Sequence, residues 1–361
     1  HEARLKSDPN VYYFAGSGDY LMVYVDDLIL LGENPDALFQ KIADKVLLKK
    51  TGTLSEGATT KFLGRKIRMR EGTIELFMSP NYVLDILKEH GLQDAKPVVS
   101  PGITTVTTSD AVSALEGKSI SLYRRGVGKC MWMVPLRIEI YYTTKELARN
   151  LQHPTMESMM RLRHLLRYLK GTLHYVLVLY ARVQLHRDVP VELKIYVDSD
   201  WAGCRTTRKS TSGCVIELLG CAVHAFSRTQ GTIATSSGEA ELYAIGSGVS
   251  EGLGVMNFLQ ESQLLPKVSM LIMTDSTSAK AIATRMGVSK LTRHIQLRHL
   301  YMQDLVANNI IKIKKVGTKS NAADILTKVV PTAVLQYHLP NVGIKTYYVD
   351  ENSGRIGVKT M

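Results

Sequence analysis

Four acids stand out in a chain that is otherwise rich in bases: Asp198, Glu241, Asp275 and Asp324. Asp198 follows the alternating run Leu193-Lys194-Ile195-Tyr196-Val197, which reads as a strand. Asp275 follows a second apolar run, Met270-Leu271-Ile272-Met273-Thr274, while Glu241 and Asp324 each sit near the start of a predicted helix. An α/β sheet gathers its ligands at strand ends and helix starts, so the four are expected to converge on one cleft. Carboxylates gathered in this way suit hard divalent cations, magnesium first, and the chemistry those ions perform on phosphates. Without a cation they repel one another, and at least one pKa is expected to rise. Taken singly, each acid equally suits a helix cap or a solvated surface. Asp200 and Glu239 flank two of the candidates, and Glu239 has a competing role as capping-box partner of Ser236.

The background composition points the same way. The chain has 361 residues, 45 Lys and Arg against 33 Asp and Glu, a formal charge of +12 and a pI near 9.4. That balance favours a polyanionic partner such as nucleic acid, and the length allows two or three domains. No apolar stretch approaches the ~20 residues of a membrane span. The chain opens on His1 in mid-pattern without a signal peptide, so it is expected to be a piece of something longer. Cys130, Cys204, Cys214 and Cys221 lack any CxxC pair, and Cys221 with His224 reads better as part of a strand than as a zinc ligand pair. A reducing compartment follows as the default.

The elements that must position the acids can be read in order. Val11–Phe14 and Tyr20–Val25 flank a turn at 16–19, a second turn follows at Asp26-Asp27, and residues 35–49 have helical spacing. Lys61 to Arg70 reads as one basic strand, Thr73 to Met78 as the next, and Pro80 to His90 as a helix closed by Gly91. Residues 95–119 lack periodicity and form the best linker. Helical patterning covers Tyr123 to Leu151 and Thr155 to Leu169, with strand-like residues to about 184. From 191 to about 330 the order is strand, hairpin, helix, strand, two helices, strand, helix, with the hairpin at Cys214 to Arg228 turning near Gly220. Leu242, Ile245, Val249, Leu253 and Met256 form one apolar face of the helix behind Ser236. The boundaries predicted are 1–95, 96–189, 190–330 and a tail, 331–361, in which Thr346 to Val349 and Arg355 to Val358 suggest a hairpin of unknown role.

Several segments carry a resemblance to a known family. Tyr196-Val197-Asp198-Ser199-Asp200-Trp201-Ala202-Gly203 resembles the opening strand of ribonuclease H domains in Ty/copia-type retrotransposon polyproteins. Arg208-Lys209-Ser210-Thr211-Ser212-Gly213, Thr235-Ser236-Ser237-Gly238-Glu239-Ala240-Glu241-Leu242, Thr274-Asp275-Ser276 and Lys319 to Lys328 resemble the segments that follow in that family, in the same order. Upstream, Tyr24-Val25-Asp26-Asp27 resembles the reverse transcriptase palm signature. Phe62-Leu63-Gly64, Tyr82 to Leu87 and Tyr168-Leu169-Lys170-Gly171-Thr172 resemble later parts of the same polyproteins. The resemblance covers most of residues 1–330. It departs at Leu136-Arg137-Ile138-Glu139-Ile140, where Arg-Pro-Asp-Ile is usual, at Gly238, where Thr is usual, and at Leu242-Tyr243 in place of a Tyr-Met pair, which suggests a diverged genomic copy.

The fold this resemblance implies is an α/β ribonuclease H-like mixed sheet with flanking helices, preceded by an α+β partial palm and thumb and a helical connection. The function it implies is magnesium-dependent endonucleolytic hydrolysis of the RNA strand of RNA:DNA hybrids, with Asp198, Glu241, Asp275 and Asp324 holding two ions roughly 4 Å apart (manganese being possible in their place). The parent polyprotein would also encode an RNA-directed DNA polymerase, of which Asp26 and Asp27 would be a palm remnant. Polymerase activity is not expected here, because the third palm carboxylate belongs to an earlier strand. Arg205, Arg208, Lys209, Arg228, Arg293 and Arg298 are candidates to hold phosphates. Ser199, Ser237 and Ser276 are candidates to sense 2′-hydroxyls, and His294 and His299 to aid product release. The partners implied are the hybrid, its template strands and the rest of the polyprotein, in a cytoplasmic retroelement particle or the nucleus. A non-catalytic nucleic-acid-binding relic is the main alternative. A transposase or resolvase of the same fold is a weaker one, since the palm-like segment argues against it.

Overall fold

The computed structural model describes residues 2–106, 112–180, 189–287, 293, 295, 300–349 and 356–359. Its N-terminal part is an antiparallel meander of β1 (Glu2–Arg4), β2 (Val11–Phe14), β3 (Asp19–Tyr24) and β4 (Asp27–Leu31), followed by α1 (Pro35–Ala43). The basic stretch predicted as one strand is two, β5 (Thr59–Phe62) and β6 (Arg65–Arg70). Leu63 and Gly64 both take positive φ, 48° and 73°, which is the backbone of a two-residue hairpin turn. β7 (Thr73–Phe77) and α2 (Pro80–Glu89) follow, and Gly91 at φ 62° ends the helix while Leu92 N–H returns to Leu87 C=O at 2.8 Å.

The long helix predicted from Tyr123 to Leu151 is broken. α3 (Lys118–Met133) and α4 (Tyr141–Ala148) are joined by two 3₁₀ turns, because Pro135 has no N–H to continue the ladder. In this break Arg137 and Glu139 form a buried ion pair at 2.7 Å, and the Arg137 guanidinium also donates to Thr172 Oγ1 at 2.6 Å. The segment that departs from the family pattern thus holds a base and an acid in contact. Along α5 (Met156–Gly171), Arg161, His164, Arg167 and Lys170 reach the carbonyls of Ile103, Ser100, Lys96 and Ala95. Much of the predicted linker is thus strapped to a helix, with one basic side chain per turn.

A six-stranded sheet has the order β15-β14-β8-β7-β6-β5, in which β8 is Tyr175–Tyr180, β14 is Ile344–Val349 and β15 is Ile356–Lys359. The C-terminal hairpin therefore extends a sheet that begins near residue 59. One buried apolar cluster runs from Ile86 and Leu166 through Ala225 and Leu326 to Ile344.

The remaining sheet has the order β11-β10-β9-β12-β13. β9 (Val191–Asp200), β10 (Thr211–Leu218) and β11 (Cys221–Thr229) are antiparallel neighbours, whereas β12 (Val268–Thr274) runs parallel to both β9 and β13 (Ile311–Lys315). Leu219 and Gly220, at φ 54° and 80°, turn the β10–β11 hairpin. α6 (Ser237–Glu261) crosses this sheet, α7 (Thr277–Thr284) and α8 (Tyr301–Ala307) flank it, and a 3₁₀ turn at Ala322–Leu326 precedes α9 (Thr332–His338). Leu242, Ile245 and Val249 of the predicted apolar face join Leu193, Ile195, Val197 and Ile272 in a second buried cluster.

Candidate metal centre

Asp198 lies two residues inside the end of β9 rather than at the strand's end as predicted, directly opposite Gly213 on β10. The absence of a side chain at Gly213 decides what covers the acid. A Cβ there would lie 2.8 Å from Thr327 Cγ2, 2.9 Å from Ala323 O and 2.9 Å from Leu326 Cβ. Glycine therefore lets the 322–327 segment settle on the strand pair, where Thr327 Oγ1 donates to Asp198 Oδ2 at 2.5 Å. Asn321 anchors the same segment by donating its amide to Val197 C=O at 2.8 Å.

Glu241 comes from the opposite layer. Ser236 caps α6 by accepting from Glu239 N–H at 3.2 Å. Glu239 reaches past the expected capping-box partner to Thr235, taking its N–H at 2.8 Å and its hydroxyl at 2.6 Å. Farther along, α6 lies so close to β9 that a Cβ on Gly248 would sit 2.5 Å from Val197 Cγ1. That approach brings Glu241 to the strand, and its Oε1 accepts from Ser199 N–H at 3.2 Å. Asp275 follows β12, whose register beside β9 pairs Met273 with Tyr196, and it precedes Ser276, the N-cap of α7.

One ligand oxygen from each of Asp198, Glu241 and Asp275 lies within 4.8 Å of the others. Asp198 is 5% and Glu241 9% exposed, and Glu241 Oε2 is buried with no hydrogen-bond partner. A buried carboxylate oxygen is seldom left unpaired. Burial pushes the Asp198 carboxyl up to about 6, against the opposing Thr327 hydrogen bond and Lys328 charge. Burial, then the neighbouring Asp198 charge, pushes Glu241 up to about 8. Oxygen donors converging in a desolvated corner, with one left unpaired, fit a hard divalent cation.

Asp324 is not part of this group of three. It stands on the 3₁₀ turn with Oδ1 paired to Lys328 Nζ at 2.5 Å, though its charge is felt at Asp198. Arg205 and Arg208 are exposed in the loop after β9, and Lys209 is half-buried there. Arg228 is engaged by Glu251 at 2.5 Å and stacks over Phe226. Arg293 is exposed, while Arg298, His294 and His299 lie outside the described residues. Ser237 is exposed at the start of α6, and Ser276 Oγ is taken up in capping Ala279 N–H at 3.1 Å. Asp26 and Asp27 are exposed at the β3–β4 turn. Cys221 Sγ accepts from Tyr180 N–H at 3.1 Å, and His224 faces Glu251 at 3.5 Å.

Gly213, Asn321, Thr327 and Lys328 were not singled out from the sequence, although all lie within segments that carry the resemblance. A glycine at the edge of a predicted hairpin strand is the signal that was available, since such a glycine often marks a close backbone approach.

No family model matches the chain. Over 335 residues it is 30% identical to a retrovirus-related Pol polyprotein from transposon TNT 1-94 of Nicotiana tabacum, covering 90% of this chain and 24% of that one. It is 31% identical over 235 residues to an uncharacterized mitochondrial protein of Arabidopsis thaliana, covering 64% of this chain and 92% of that protein. The chain thus spans about a quarter of the length of the curated polyproteins it matches. Among solved structures, LC11-RNase H1 isolated from compost overlaps 38% of this chain and 92% of its own at 16% identity and a TM-score of 0.29. A foamy viral protease-reverse transcriptase in complex with RNA/DNA hybrid overlaps 86% of this chain and 37% of its own at 12% identity and a TM-score of 0.48. Its homologues are retrovirus-related Pol polyproteins from Ty1/copia-type transposons, at 26–30% identity over 90% of the chain.

Proposed function

We propose that residues 190–330 form a nuclease unit that hydrolyses the RNA strand of RNA:DNA hybrids with the help of divalent cations, magnesium first. The observation that carries this reading is the convergence of Asp198, Glu241 and Asp275 within 4.8 Å, with Glu241 Oε2 buried and unpaired. Asp198, Glu241 and Asp275 would hold the first ion, and Asp324 would complete the site for a second. Bound there, such ions acidify water and neutralise charge developing on a leaving phosphate oxygen.

The chain's own groups would divide the remaining work. Thr327 fixes one oxygen of Asp198 and leaves the other for an ion. The Ser199 amide orients Glu241 in the same way. Exposed Arg205 and Arg208, with Lys209 beside them, would hold backbone phosphates at the mouth of the site. Arg228 is a poorer candidate than the sequence implied, since Glu251 already neutralises it.

Asp198→Asn tests the reading. The substitution keeps the size of the side chain and removes its charge, so hybrid cleavage is expected to vanish while hybrid binding survives. Equal cleavage by the parent and the variant would contradict the assignment. Binding without cleavage in the parent would leave a nucleic-acid-binding relic as the better description.

A further inference from the structure

Asp324 differs from the other three acids in having a cation of its own. Its carboxylate is 14% exposed and holds Lys328 Nζ at 2.5 Å, four residues onward. Lys328 is half-exposed. It lines a small cavity with Glu139, Tyr142 and Thr143 beneath the strap at Gly102. That strap is tight, since a Cβ on Gly102 would lie 2.8 Å from Val329 Cγ2 and 2.9 Å from Thr143 Oγ1. On its other side, Thr327 is fixed to Asp198. The Lys328 backbone is therefore held from both flanks, and its ammonium is delivered to Asp324. The cluster of Asp198, Glu241 and Asp275 makes no direct ion pair among the described contacts, although the Lys328 charge reaches Asp198 through space, and it keeps a buried, unpaired Glu241 oxygen.

We propose that Lys328 is a positioning residue that makes two cation positions unequal. A first ion needs only Asp198, Glu241 and Asp275. A second ion, which needs Asp324, must first separate that carboxylate from Lys328 and then tolerate a like charge beside it. Cation loading is thus ordered, with the Asp324 side filled last. The inference rests on the divalent-cation reading above and deepens it by naming what sets the affinity of the second position.

The test is a manganese titration of the full chain followed by electron paramagnetic resonance of the free ion, without nucleic acid. The parent is expected to bind one ion tightly and a second more weakly. Lys328→Gln should tighten the weak step about fivefold, as expected from losing a half-exposed ion pair, and move the tight step less, since Lys328 acts on Asp198 only through space. Lys328→Arg should restore the parent's weak step, which a merely structural role would not require. Asp324→Asn should remove the weak step alone. An unmoved weak step in Lys328→Gln, or a single step in both proteins, would overturn the role of Lys328 while leaving the first position intact. No manganese bound by the parent beyond that bound by Asp198→Asn would overturn the metal reading itself, and this inference with it.

Discussion

Two regions of the molecule present acids next to strands, and their surroundings could hardly differ more. Asp26 and Asp27 stand exposed where β3 turns into β4, in a meander whose strands are mostly half-buried. Asp198 and Glu241 lie in a five-stranded sheet and the helix crossing it, almost wholly removed from water, with one carboxylate oxygen unpaired. Exposed acids at a turn are hydrated and carry little electrostatic tension. Buried acids in mutual contact raise each other's pKa and bind a cation strongly when one arrives. A short motif such as Tyr-Val-Asp-Asp is therefore a weaker guide to chemistry than the burial of the acids it contains.

The comparison can be broken by changing each region in turn. After Asp198→Asn, the largest effect is expected from Asp275→Asn, which removes another of the three converging carboxylates. Hybrid cleavage should fall at least ~100-fold, with manganese binding lost in parallel, because residues that act as a unit fail together. Activity within a factor of two of the parent would place Asp275 outside the site. Gly213→Ala should come next. The added methyl meets Thr327, Ala323 and Leu326 at under 3 Å, so the closing segment must move away from Asp198. A loss of about 1–3 kcal/mol of stability is expected from overpacking, with weaker cation binding, measurable by denaturant melts and calorimetry.

Much of this was legible in advance, and what was not shares a cause. The strand before Asp198, the apolar run before Asp275 and the cap at Ser236 are local patterns, and each formed close to where it was predicted. Asp198 facing Gly213, and both facing a segment more than 100 residues onward, is a long-range packing relation that periodicity does not encode. The pairing of Lys328 with Asp324 is local, at i and i+4, yet it depends on how the chain turns after the 3₁₀ helix at Ala322–Leu326. Elsewhere one or two residues overrode a sound pattern. Pro135 divided a helix, and Leu63-Gly64 turned one basic strand into two. The C-terminal hairpin was recognised as a hairpin, but its addition to a sheet begun near residue 59 was not readable from its own residues.

Two further effects sharpen the contrast between the regions. Asp198 and Glu241 have pKa values raised in the fold to about 6 and about 8 from ordinary values of 3.8 and 4.5. Between those limits the folded state binds more protons than the unfolded one, so ion-free stability should fall as pH rises from about 4 to about 8. Glu241→Gln removes the costlier charge and should stabilise the ion-free protein at pH 8 by up to about 4 kcal/mol, with little change at pH 4, in paired thermal melts. A stability that rises over that interval because of these groups would contradict their burial. The smallest effect belongs to the meander. Asp26→Asn with Asp27→Asn should leave hybrid cleavage within a factor of two of the parent and manganese binding unchanged.

The most direct measurement is magnesium-dependent cleavage of an end-labelled RNA:DNA hybrid by the full chain, beside duplex DNA and duplex RNA. Cutting confined to the RNA strand of the hybrid, and abolished by chelation, is the predicted result. Intact hybrid after incubation with folded, magnesium-supplied protein would contradict the claim that the buried carboxylates form a nuclease centre.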